Sequence, residues 1–235
     1  FFFLAGCGHT GSSIMARFFG SHEQILFIPK ESGILLANRY HIMGNLVNEF
    51  IYQKKKLKKN FILEKTPRHI WHFDYARKIF SKKIFLISFR NPISTLISLK
   101  NRYQSWETAL QRVRDDTVMS IRQLCHQDVK PVLFELFTNK PIEYFNYAFL
   151  EFDLKASDSM LIFFKKKLEW NKVGNNLIYD SHDKLRNQQI NSPIKIYKGI
   201  NNTFQNDEIK EAKKRINEDK LAKTIFSDLK KILIE

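Results

Sequence analysis

Two stretches of the sequence carry residue types suited to holding an anion. The first, Gly6-Cys7-Gly8-His9-Thr10-Gly11-Ser12-Ser13, follows a short apolar run and opens a helical pattern. At such a strand-to-helix turn, backbone N–H groups and the helix dipole together cradle phosphate. The spacing from Gly6 to Gly11 matches the nucleotide loop G-x-x-x-x-G-K-[ST], but Ser12 stands where the lysine should be. That lysine reaches the β- and γ-phosphates, so its loss argues against ATP or GTP hydrolysis. What remains, from Gly8 through Ser13, can grip a shorter anion through N–H groups and hydroxyls. The second stretch is Phe89-Arg90-Asn91-Pro92, with Ser98 eight residues beyond Arg90. An arginine at a strand's carboxyl end and a serine two turns into the next helix can face one crevice, where open α/β sheets bind ligands. Guanidinium and hydroxyl together suit a phosphate monoester.

The elements that must position these residues follow from apolar periodicity. Residues 1–5, 25–28, 61–63, 83–88 and 131–134 read as buried strands. Between them, 12–20, about 33–57, 69–80, 92–103 and 106–124 read as helices, with Ile34, Leu35, Tyr40, Ile42, Leu46 and Phe50 inward in the second of these. A further helix is expected over 141–152. Strands separated by helices imply parallel β-α-β units, an α/β fold with a three-layer arrangement of a parallel sheet flanked by helices. Residues 205–235 read as C-terminal amphipathic helices broken near Asn217-Glu218-Asp219, and 157–200 gives no clear pattern.

On these motifs the chain resembles the PAPS-dependent sulfotransferases, whose donor is 3′-phosphoadenosine 5′-phosphosulfate (PAPS), and the resemblance runs over most of its length. The family pairs a 5′-phosphosulfate loop with a later Arg-[Asn/Asp]-Pro and a serine eight residues after that arginine. The corresponding elements are His9-Thr10-Gly11-Ser12-Ser13, Arg90-Asn91-Pro92 and Ser98. Glu64-Lys65-Thr66-Pro67 looks like the Glu-Lys-[Ser/Thr]-Pro segment of glycan-modifying members. The run Val132 to Leu136, then Asn139-Lys140-Pro141 and Phe149-Leu150, looks like a further family stretch that gives Glu135 a structural role. The resemblance implies a P-loop-NTPase-like sulfotransferase fold, a 5′-phosphosulfate held by the glycine loop, and a 3′-phosphate held by Arg90 and Ser98. It also implies PAPS as co-substrate, with no metal, and a hydroxyl- or amine-bearing acceptor, tilted toward glycan or protein. Glu31, in Pro29-Lys30-Glu31-Ser32, is the implied base, with His69 competing, and Lys65 the group that stabilises the leaving phosphate. Lys195 and Lys198 lie where relatives fold a basic loop over the nucleotide. One departure is His9, where most relatives carry Lys or Arg. A histidine is charged only below about pH 6.5 unless a bound anion raises its pKa.

The bulk numbers are compatible with this and add little. At 235 residues and 43% hydrophobic, the chain can bury one sizeable core, so 1–235 is expected to form a single domain. No apolar run is long enough for a membrane-spanning helix. The first residue is not Met, and the first strand begins at once. A missing upstream segment is therefore expected: a bacterial chain would be cytoplasmic, and any other source leaves the compartment open. Two cysteines exclude a disulfide framework. The net charge of +15 invites an anionic partner, but the aromatics sit in apolar runs rather than among basic residues, which disfavours nucleic acid. His69 and His72 read as a surface pair rather than metal ligands. Two rivals remain: a P-loop kinase of a small substrate, and a non-catalytic basic protein binding polyanions on the same scaffold.

Overall fold

Strand β1 (Phe2–Gly6) is apolar at every position up to its terminal glycine, the pattern of a parallel strand covered on both faces. It lies at the centre of a sheet formed with β2 (Ile25–Phe27), β3 (Phe61–Lys65), β4 (Ile84–Phe89) and β5 (Val129–Leu133). The strand order is β2-β3-β1-β4-β5 and each neighbouring pair is parallel. These observations come from a computed structural model, which describes residues 1–36, 40–170 and 180–234. The connections are α1 (Ser12–Phe19), α2 (Tyr40–Lys56), α3 (Phe73–Ile79), α4 (Pro92–Tyr103) and α5 (Trp106–Gln123). After β5 come α6 (Phe134–Asn139), α7 (Pro141–Phe149), α8 (Asp180–Ile190), α9 (Asn206–Glu218) and α10 (Lys220–Ile234).

The two-residue strand period sorts the core into layers. Phe2 and Leu4 pack with Met15, Phe18 and Phe19 of α1 and with Phe145 and Phe149 of α7. Phe3 and Ala5 point the opposite way, toward Phe73, Phe85 and Ile87. A third cluster joins α4, α5, α9 and α10 around Leu96, Val113, Ile209 and Phe226. The expected α/β class, with a parallel sheet between helical layers, is the class observed. The chain runs outward from β1 to β2, returns to β3, then crosses to β4, so β1 and β4 meet where the winding reverses. Crevices for ligands form outside the strand ends at such a point.

Several expected boundaries shift. The helix expected from residue 33 begins at Tyr40, and 33–36 is a turn that buries Ile34 and Leu35. Residues 37–39 lie outside the described residues, as do the side chains of Tyr40 and Ile42. The helix expected from His69 is a 3-10 turn over Pro67–His72, then α3, because Pro67 sets the first turn and Phe73 begins the α-helical ladder. The last strand starts at Val129, and the segment after it is the short helix α6. The C-terminal break is observed at Asp219, whose carboxylate accepts the Ala222 N–H at 2.9 Å and caps α10.

Candidate active site

The glycine loop leaves β1 through Gly6 (φ 125°) and enters α1 through Gly11 (φ 83°), both in the left-handed half of backbone space. A Cβ on Gly11 would overlap the Phe134 ring. His9, between them, is also left-handed (φ 67°). Gly11, the N-cap of α1, has no side chain to accept from the helix, so the first N–H groups of α1 are left for another acceptor. The Thr10 hydroxyl is already engaged: it donates to the Cys7 carbonyl at 2.8 Å and shares a 2.6 Å bond with Ser88. Thr10 therefore offers a ligand its backbone, while its side chain braces the loop on β4. Ser12 is buried and Ser13 half-buried at the helix start.

Arg90 follows β4 and reaches across to this loop. Its Nη1 donates to the His9 carbonyl at 3.2 Å, and the guanidinium lies over the Phe134 ring at 4.7 Å and the Tyr197 ring at 5.9 Å. Its Nε is buried without a hydrogen-bond partner among the described residues. The Ser98 hydroxyl stands 2.7 Å from His9 Nδ1. Loop, arginine and serine thus form one constellation, spanning the ends of β1 and β4. The Glu135 carboxylate accepts the Asn91 N–H at 2.8 Å, and the Asn91 side chain caps α4, which fixes the turn carrying Arg90.

A second group lies one strand away. Lys65, at the end of β3, donates to Glu31 at 2.6 Å, and Arg186 of α8 reaches the same carboxylate oxygen at 2.8 Å. Burial alone would raise the Glu31 carboxyl, but Lys65 and Arg186, with Arg102 adding to them, bring it down to about 2. Burial pulls the Lys65 ammonium down, opposed by Glu31.

Beneath this pair, Glu64 is wholly buried. It accepts from the Ser32 hydroxyl at 2.8 Å and the Thr66 hydroxyl at 2.6 Å, and pairs with His69 Nδ1 at 2.9 Å. The other His69 nitrogen accepts the Leu35 N–H at 3.2 Å, and His69 is 0% exposed. The expected surface pair His69/His72 is therefore half wrong: His69 is an interior brace, and its ring has no nitrogen left for a substrate. Glu64 ties three neighbours together, and Glu31 is the group that bonds the Lys65 ammonium.

The Glu64 network gives a stability prediction. Its carboxyl, which burial would raise, is held below the ordinary value near 4.5 by His69 and by the hydrogen bonds from Thr66 and Ser32. A depressed carboxylate stabilises the fold fully above its ordinary value and loses that contribution as pH falls through the folded value. Glu64→Gln is expected to cost about 2–4 kcal/mol in urea unfolding at pH 7. The gap to wild type should narrow steadily below pH 4.5; a gap independent of pH would contradict the assignment.

Lys195 and Lys198 are exposed and enter no ion pair among the described residues. Between them Tyr197 turns inward, its hydroxyl 3.0 Å from Ser94 Oγ and its N–H bonded to Thr138, which fastens this loop beside Arg90. Tyr197, Trp170 and Arg186 were missed because nothing local in their segments distinguishes them. Arg112 and Asp116 carry a usable signal, an ion pair at helical spacing on α5. Asp116 also accepts the Trp71 indole N–H at 2.9 Å. Arg112, Trp71 and Tyr103 line a cleft of about 280 Å3. Arg112 Nη2 stands 3.9 Å from where a Cβ on Gly8 would lie, so this cleft adjoins the loop. Among the described residues, no three His, Cys, Asp or Glu converge as a metal-holding group, and no helix is long and apolar enough to cross a membrane.

Over 91% of its length the chain superposes on the sulfotransferase domain of the Synechococcus PCC 7002 olefin synthase, at a TM-score of 0.57, covering 92% of that domain. This chain has the sulfotransferase fold. A second sulfotransferase-fold structure, the sulfotransferase domain from the curacin biosynthetic pathway, aligns at a TM-score of 0.55 over 92% of this chain and 96% of that one. Sequence identities are only 11% and 12%, so what the sulfotransferase-fold chains share is backbone architecture. No protein-family model and no curated protein matches the sequence.

Proposed function

We propose that this chain is a PAPS-dependent sulfotransferase acting on a hydroxyl or amine of a glycan or protein. The observation that carries this reading is the contact between the two cradles. Arg90 donates to the His9 carbonyl and Ser98 bonds the His9 ring, so groups suited to both ends of one doubly phosphorylated adenosine border a single crevice. In this reading the α1 N-terminus and Gly8 to Ser13 hold the 5′-phosphosulfate. Arg90, whose Nε has no partner among the described residues, and Ser98 hold the 3′-phosphate. Tyr197 closes over Arg90, and Lys195 and Lys198 supply a diffuse positive field at the rim. The acceptor enters through the cleft between Trp71 and Arg112.

Transfer is an in-line displacement in which positioning and charge stabilisation supply most of the acceleration. The acceptor oxygen forms a bond to sulfur while the bond from sulfur to the 5′-phosphate oxygen breaks. The leaving nucleotide takes the electron pair, Lys65 offsets the charge that develops there, and Glu31 takes the acceptor's proton. His69 is the weaker candidate base because both of its ring nitrogens are engaged in the interior.

Calorimetry with 3′-phosphoadenosine 5′-phosphate (PAP) against ATP tests the reading directly. PAP is expected to bind at least about tenfold more tightly than ATP, and without magnesium, since the second phosphate adds charge-assisted bonds. Equal binding of the two, or binding of ATP alone with magnesium, would return the kinase reading.

A further inference from the structure

The Glu31 carboxylate is bound by two cations, and only one of them comes from the strands that form the site. The second, Arg186, belongs to α8, well over a hundred residues later in the sequence. Its arrival is built in several places. The Trp170 N–H donates to the Asn187 side chain at 2.7 Å, and the Leu168 N–H donates to Asn191 at 2.8 Å. Asn191 returns a 2.8 Å bond to the Leu168 carbonyl. The segment before α8 and the end of α8 are therefore stitched into one unit. On that unit the buried Trp170 ring carries the Arg186 guanidinium 5.6 Å from its centroid and the Lys65 ammonium 5.1 Å from it. Two cations sit on one indole, joined by one carboxylate.

This arrangement has an electrostatic consequence. Lys65 cannot both bond Glu31 tightly and neutralise a leaving group. When its ammonium swings toward the donor, a half-buried Glu31 with no other cation would rise in pKa and hold its own proton, and so stop accepting one. Arg186 prevents that. Its guanidinium is the second positive charge on that oxygen, and its planar fork holds the oxygen in one orientation.

We propose that Arg186 is a positioning residue of the transfer site, holding the Glu31 carboxylate in place while Lys65 turns to the donor. This deepens the sulfotransferase reading and rests on it. The charged groups facing Glu31 among the described residues are Lys65 on β3, Arg186 on α8 and Arg102 on α4, with Glu64 acting on Lys65 from the same strand. Arg102 is exposed and screened, so Arg186 is the cation left once Lys65 departs.

The test uses the full chain with PAPS, following labelled sulfate released with water in the acceptor's place. Arg186→Met is expected to lower kcat about 10- to 100-fold at neutral pH while the PAPS KM and PAP affinity change less than about threefold. The acidic limb that Glu31 gives the kcat profile, well below neutrality in wild type, should move up by about one pH unit, because a neighbouring positive charge has been removed. Arg186→Lys keeps the charge and is expected to recover most of the rate and the original limb. An unchanged rate and limb in Arg186→Met, with PAP still bound, would overturn the proposal and leave the sulfotransferase reading standing. So would a loss of PAP affinity equal to the loss in kcat, which would make Arg186 a donor-site or folding residue. If wild type fails to bind PAP, the sulfotransferase reading falls and this proposal with it.

Discussion

Arg90→Ala is expected to weaken PAP binding by about 100-fold or more, since two charge-assisted bonds to one phosphate contribute about 1.5–3 kcal/mol each. The fold should survive the change. Arg90 stacks on Phe134 and Tyr197 and makes one bond to the loop, but the turn it sits on is held independently by Glu135 and by the Asn91 cap. Adenosine 5′-phosphosulfate, which lacks the 3′-phosphate, gives the sharper control. Its affinity should barely respond to Arg90→Ala, so the variant should erase discrimination between the two nucleotides. A PAP affinity unchanged by the substitution would remove Arg90 from the nucleotide site and with it the pairing of the two cradles.

Glu31→Gln should do the opposite. Removing a general base typically costs about 10²- to 10⁴-fold in turnover, and PAP affinity should stay within about threefold. Glutamine keeps the shape and one acceptor oxygen for Lys65 and Arg186, so the loss would be that of the proton acceptor. With the free-protein carboxyl down at about 2, wild type should show no acidic limb from Glu31 near neutrality. His69→Ala separates the alternatives. It cuts the brace to Glu64 and is expected to lower the melting temperature, with any folded fraction retaining turnover. Activity that survives Glu31→Gln and disappears in a folded His69 variant would reverse the assignment of the base.

The sheet was legible in the sequence because parallel strands covered on both faces are short, apolar and rich in Phe and Ile, and each is bounded by a loop. The candidate anion-binding residues were legible for a related reason. Strand-to-helix junctions are local, so Gly6 to Ser13 and Arg90-Asn91-Pro92 announce themselves within a few residues. What stayed hidden was made by contacts distant in sequence or at non-helical spacing. Glu64 and His69 are five residues apart, across a strand end and a 3-10 turn, so no helical or strand period links them. Arg186 meets Glu31, and Trp170 meets Lys65, only once the chain has folded back, and their own segments carry no periodic signal. α6 was missed because Phe134, its first residue, continues the apolar run of the expected strand 131–134, and periodicity cannot tell where such a run changes from strand to helix.

The Phe134 ring joins these themes. One edge fills the space that only a glycine at position 11 leaves open, and its face carries the Arg90 guanidinium. On the proposed reading, this rigid benzyl group spaces the two anion grips together with the bond from Arg90 to the His9 carbonyl, much as a spacer fixes the jaws of a caliper. On that reading, a softer or thinner side chain at that position would let the jaws drift, and selectivity for the nucleotide would loosen before the fold did.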